Sequence, residues 1–121
     1  MGKLVLIVDD DQMNRELMET VLKRSGFTTQ TAYSGTQALS LIQTSLPDLI
    51  LLDARLGEPD GFEVCAQLKG NPATQSIPII MLTASNVRSD QQHAKEVGAD
   101  DYYYKPDGWQ GLIERVRRYL A

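Results

Sequence analysis

The chain is predicted to be an α/β domain, a doubly wound parallel sheet with helices on both faces. Short aliphatic runs predict this first: Leu4–Val8, Leu49–Leu52 and Ile79–Leu82 are continuous rather than alternating, as in strands buried on both faces. Segments of helical spacing separate the runs, which is the pattern of a parallel sheet. The runs also end in reactive side chains. Asp9, Asp10 and Asp11 follow the first, Asp53 the second and Thr83 the third, while Tyr102-Tyr103-Tyr104 leads into Lys105-Pro106. Open α/β sheets bind ligands beyond the C-terminal ends of their strands.

Taken in order, Leu4–Val8 is the first strand, and it should be central because it is strongly apolar. Asp11 can cap the next helix, with Met13, Leu17, Val21 and Leu22 at helical spacing and Gly26 just past its end. Phe27–Tyr33 is a second strand, rich in threonine and therefore nearer an edge. Ser34 and Gln37 form a capping box, and Ala38, Leu41 and Ile42 make the inner face of the second helix. Leu49–Leu52 follows Pro47. Asp60-Gly61 opens a third helix with Phe62, Cys65 and Leu68 inside, where Cys65 is a packing residue. After the polar loop 71–76, Pro78 starts the fourth strand. The fourth helix, Ser85–Val97, is mostly polar and should be the least firmly packed; His93 on it reads as solvated. Asp107 can cap the fifth helix, whose inner face is Leu112, Ile113, Val116 and Leu120. Gly111 inside that helix costs about 1 kcal/mol relative to alanine.

The 121 residues suffice for one core. A net charge of −4 argues against a general nucleic-acid binder. A single cysteine cannot form an internal disulfide. No apolar run approaches the ~20 residues of a membrane span, so a cytoplasmic protein without membrane contact is expected.

If the first and third strands are neighbours, Asp9, Asp10 and Asp53 crowd together. Such carboxylates repel, and some protonate near neutral pH unless a hard cation joins them. Mg²⁺ suits a few carboxylates, waters and phosphate oxygens. Lys105 adds a positive charge and Thr83 a hydroxyl. A carboxylate nucleophile, a metal and a lysine suit formation of an aspartyl phosphate. A salt bridge from Lys105 to one of the acids is compatible with the same chemistry.

The motifs Val8-Asp9-Asp10-Asp11, Asp48–Asp53, Asp60–Val64, Leu82-Thr83-Ala84, Gly98–Tyr102 and Lys105-Pro106 occur in the order and spacing of the receiver domain of response regulators. The chain resembles that family from Leu4 to Leu120. The resemblance implies a flavodoxin-like three-layer sandwich of strand order 2-1-3-4-5, taken over with the family rather than derived. The length leaves no room for an output domain, so a single receiver domain spanning 1–121 is expected, either working alone through partners or taken from a larger chain. Asp53 would accept a phosphoryl group from a histidine kinase or a histidine phosphotransfer domain. Asp10 would ligate Mg²⁺ directly, Asp9 largely through water, and the Arg55 backbone carbonyl would complete the protein ligands. Thr83 and Lys105 would contact the phosphoryl oxygens, Tyr102 would change rotamer with Thr83, and Lys105-Pro106 would be a cis peptide. Such a domain is not an enzyme on a separate substrate; it catalyses its own phosphorylation and slow autodephosphorylation.

Three positions depart from the family pattern. Gly57 and Pro59 stand where proline and a large apolar residue are common, Arg55 is a long cation two past the acceptor, and Asp107 replaces an aromatic, with Trp109 nearby either substituting for it or packing helix five. A haloacid-dehalogenase-like phosphatase would use Asp9 and Asp11 as an Asp-x-Asp motif. A flavin binder would need phosphate-cradling groups where three aspartates stand. A third alternative is a receiver-shaped interaction module that is never phosphorylated, against which the intact set of Asp9, Asp10, Asp53, Thr83 and Lys105 speaks. Charges on Lys95, Asp100, Asp101, Arg115, Arg117 and Arg118 offer a homodimer contact through helix 4, strand 5 and helix 5, in which acids of one copy meet arginines of another.

Overall fold

The computed structural model describes residues 2–84 and 88–120. In chain order the elements are β1 (Leu4–Val8), α1 (Gln12–Arg24), β2 (Thr28–Ala32), α2 (Gly35–Thr44), β3 (Leu49–Asp53), α3 (Gly61–Lys69), β4 (Ile79–Thr83), α4 (Arg88–Glu96), β5 (Asp101–Tyr104) and α5 (Trp109–Leu120). The strands are parallel in the order β2-β1-β3-β4-β5. Every residue of β3 and β4 is buried, as their unbroken apolar runs require. Threonine-rich β2 lies at one edge, as expected.

Alternation along the strands divides the core in two. Leu6, Val8, Ile50, Leu52, Ile79 and Met81 pack under α2, α3 and α4. Val5, Ile7, Leu49, Leu51, Ile80 and Leu82 pack under α1 and α5. Helix starts follow local chemistry. Asp11 accepts from the Met13 N–H at 3.1 Å and Ser34 from the Gln37 N–H at 3.0 Å. Asp60 and Glu63 make a reciprocal capping box on α3. Phe62, Cys65 and Leu68 are buried as expected, and burial pushes the Cys65 thiol up to about 11, so it packs rather than reacts.

Four expectations change. On α1 the buried pair is Met18 and Leu22, while Met13 and Leu17 are 68% and 45% exposed. The apolar residues of this helix span more than one face, and the face carrying Met18 one turn before Leu22 meets the sheet. The helical segment before the fifth expected helix is a separate 3-10 turn, Lys105–Asp107, with Gly108 at φ 94° after it. Asp107 therefore lies in that turn, and α5 starts at Trp109. The cis X-Pro bond is Glu58–Pro59, not Lys105–Pro106, whose proline stands in the first turn of the 3-10 segment, where its fixed φ fits. His93 is exposed but not merely solvated: it stacks on Phe62 with ring centroids 4.0 Å apart. Ser85 and Val87, expected in helix four, lie outside the described residues.

Gly111 has a structural reason. A Cβ there would strike the Tyr103 hydroxyl, which donates to the Gly108 carbonyl at 2.7 Å. Gly61 is likewise pressed against the backbone of Asp53 and Ala54, leaving no room for a side chain.

Candidate functional site

The register brings the strand ends together. Val8 pairs with Leu52, so Asp9 and Asp53 emerge side by side at the mouth of the sheet. Asp9, Asp53 and Lys105 each stand two residues beyond an inward residue of the α1/α5 side, namely Ile7, Leu51 and Tyr103. Lys105 Nζ donates to Asp9 Oδ2 and to Asp53 Oδ2, each at 3.1 Å. Asp10 completes the group; one carboxylate oxygen from each of Asp9, Asp10 and Asp53 lies within 4.8 Å of the others. Asp9 is fully buried and Asp53 is 5% exposed, whereas Asp10 is open to solvent.

Backbone and side-chain donors fix the two buried acids. The Asp11 N–H donates to Asp9 Oδ1 at 2.9 Å, and the Arg55 N–H donates to Asp53 Oδ1 at 3.0 Å. Each acid therefore presents its Oδ2 to Lys105. The Asp11 side chain caps α1, accepting from the Met13 N–H. Among the described residues no buried side-chain nitrogen or oxygen lacks a hydrogen-bond partner.

Burial pushes the Asp53 carboxyl up from 3.8 to about 6, with the Asp9 charge adding to the rise and the Arg55 N–H and Lys105 opposing it. Crowded acids were expected to hold protons near neutrality; desolvation does more of this than repulsion. Burial disfavours the charged Lys105, but the carboxylates of Asp53 and Asp9 outweigh it and hold the ammonium above its ordinary pKa.

Thr83 ends β4, fully buried, in the alternation class of Ile79 and Met81. Tyr102 pairs in register with Met81 and packs on the same side of the sheet, so Thr83 and Tyr102 share the face covered by α4. Trp109, at the start of α5, packs in the α1/α5 core and lines the same small cavity as Lys105. The Gly57-Pro59 loop buries Leu56, turns at Gly57 with φ 90° and sets Pro59 against Gly35 at the start of α2.

Two contacts of the site were not legible in the sequence. Arg15 Nη1 donates to the Asp9 carbonyl at 2.8 Å, locking the turn after β1. Arg55 reaches across the mouth to Asp90 on α4 at 2.9 Å. Arg15 lies six residues from Asp9 and Asp90 lies 35 from Arg55, and neither spacing marks a partner before the fold is known.

The sequence profile described as the response regulator receiver domain matches residues 5–117. The chain is 39% identical over 117 residues to response regulator PleD of Caulobacter vibrioides, an alignment covering 97% of this chain and 26% of PleD. It thus spans about a quarter of that relative. A solved response regulator from Chloroflexus aurantiacus superposes with a TM-score of 0.94 at 38% identity, covering 99% of this chain and 98% of the other. The solved Mn²⁺-bound form of response regulator Rcp1 matches with a TM-score of 0.82 at 31% identity, covering 95% of this chain and 89% of the other. The chain belongs to the response regulator receiver domain family, and its fold is the receiver fold.

Proposed function

We propose that this chain is a phosphorylation-dependent switch whose acceptor is Asp53. The observation that carries the reading is the shared lysine: Nζ of Lys105 holds one oxygen each of Asp9 and Asp53 at 3.1 Å, with Asp10 alongside. The donor would be a histidine kinase or a histidine phosphotransfer domain. Asp53 Oδ2 forms the new bond to phosphorus as the donor's phosphorus–nitrogen bond breaks. The Arg55 N–H keeps Oδ1 occupied, which orients Oδ2 outward. Lys105 leaves the carboxylates to neutralise a phosphoryl oxygen, and Thr83 donates its hydroxyl to another.

The donor set suits a hard divalent cation: three carboxylates with one oxygen from each within 4.8 Å of the others, one of them open to solvent. Asp10, Asp9, Asp53 and the Arg55 carbonyl would hold Mg²⁺, and the ion would offset charge on the transferring phosphoryl group. Rcp1, a response regulator of the same fold, has been solved in a Mn²⁺-bound form, which supports a divalent ion for this chain.

The chain turns over no separate substrate under this reading; it catalyses its own phosphorylation and slow dephosphorylation, in the cytoplasm. Tyr102, on the face it shares with Thr83, would turn inward once Thr83 engages the phosphoryl group, favouring a two-fold contact through α4, β5 and α5. Incubation with a small phosphodonor, with and without Mg²⁺, tests the reading by intact mass. An added phosphate that requires Mg²⁺ is expected. Phosphorylation that proceeds equally in chelator removes the metal from the account, and none under either condition removes the switch.

A further inference from the structure

Among the described residues α4 has one buried member, Ala94. Two side-chain contacts reach this helix from the segment that follows the acceptor. Arg55 Nη2 donates to Asp90 Oδ2 at 2.9 Å, and Phe62 stacks on His93 with planes 9° apart. Both tethers start from chain fixed to Asp53. The Arg55 N–H is hydrogen-bonded to Asp53 Oδ1, and Phe62 follows Gly61, which is pressed against the Asp53 carbonyl. Arg55 is thus tied to the acceptor by its backbone and to α4 by its guanidinium. Its side chain is 66% exposed, whereas that of Asp90 is 16% exposed.

We propose that Arg55–Asp90 is a charge latch on α4 that opens when Asp53 is phosphorylated. The proposal rests on the reading of Asp53 as acceptor. A phosphoryl group brings close to two negative charges and a trio of oxygens next to the Arg55 backbone, whereas Asp90 offers one charge. Guanidinium binds phosphate oxygens in bidentate fashion, so the new group outcompetes the single observed contact to Asp90. When Arg55 turns to the mouth, α4 keeps the Phe62–His93 stack and loses its ion pair. Asp90 is a positioning residue: it sets where Arg55 points. Linkage then runs both ways, and removing Asp90 must strengthen the hold on a phosphoryl-like anion through Arg55.

A double-mutant cycle in Mg²⁺ tests the latch, with beryllofluoride as the probe and fluorine NMR as the readout. Asp90→Asn is expected to raise beryllofluoride affinity roughly two- to fivefold, the size that an exposed ion pair supplies. In the Arg55→Gln background the same change should do nothing. The gain should shrink as salt is raised. Hydrogen exchange of residues 88–96 should speed up in Asp90→Asn, in Arg55→Gln and in the beryllofluoride-loaded parent, without adding up in the double variant. An equal gain in both Arg55 backgrounds means that Asp90 acts on the helix alone, and no gain in either means that there is no latch; either result overturns the proposal while the acceptor reading stands. A parent that binds no beryllofluoride overturns the acceptor reading and the latch together.

Discussion

Lys105 carries the site at the scale of single residues. It is the counter-charge for two buried carboxylates, and deleting one member of such a group is far more damaging than replacing the whole. Lys105→Met should therefore lower the stability of the metal-free protein by about 3 kcal/mol, read by urea unfolding in chelator. Unchanged stability would mean that Asp9 and Asp53 do not depend on the ammonium. The Asp53 carboxyl makes a second, pH-dependent contribution. Its folded pKa of about 6 lies above the ordinary 3.8, so between those values the native state keeps a proton that the unfolded chain has lost. This contribution is present in full below pH 3.8 and is lost as the pH rises through about 6. Metal-free parent should lose roughly 2–3 kcal/mol across that window relative to Asp53→Asn, at 1.36 kcal/mol per pKa unit. Parallel pH profiles for the two proteins would contradict it. The grouping of Asp9, Asp10, Asp53 and Lys105 was legible because each closes or follows an apolar run, and Thr83 closes β4 in the same way. Arg15 and Asp90 were not legible, because their contacts depend on how turns and helices are placed.

At the scale of elements, strands were easier to read than helix faces. The aliphatic runs admit one interpretation, whereas α1 carries apolar residues on more than one face, and only docking on the sheet selects Met18 and Leu22 over Met13 and Leu17. The start of α5 was misplaced for a different reason: the Pro106 turn and Gly108 separate Asp107 from the helix it was expected to cap. Gly111 looked like a local cost in the sequence and proves to be a close contact with β5. Gly111→Ala should destabilise the protein by roughly 1–3 kcal/mol, because overpacking against the Tyr103 hydroxyl outweighs the gain in helix propensity. In a Tyr103→Phe background, which removes that hydroxyl, the same substitution should be neutral or stabilising. Thermal unfolding of the four proteins decides it, and an equal loss in both backgrounds would place the clash elsewhere.

For the whole molecule, the strands that carry the site are packed on both faces, whereas among the described residues α4 buries Ala94 alone, so a charge change at the mouth acts beside a helix with little buried side chain. The expected contact between copies meets a constraint here. Arg115 already donates to Asp101 of its own chain at 2.8 Å and lies over the Tyr103 ring, 5.3 Å from its centroid. A two-fold contact using Asp101 and Arg115 must exchange this internal pair for one across the axis. Sedimentation should therefore find a monomer without beryllofluoride and a dimer with it, and Arg115→Glu should abolish the dimer. A beryllofluoride-loaded monomer at high concentration would leave the α4–β5–α5 face to another partner. The account stands most directly on the identity of the acceptor. Parent and Asp53→Asn, incubated with a small phosphodonor and Mg²⁺ and analysed by intact mass with site mapping, test it. The account predicts one added phosphate on Asp53 of the parent and none on the folded variant; phosphate mapped to another residue, or retained by the variant, would contradict it.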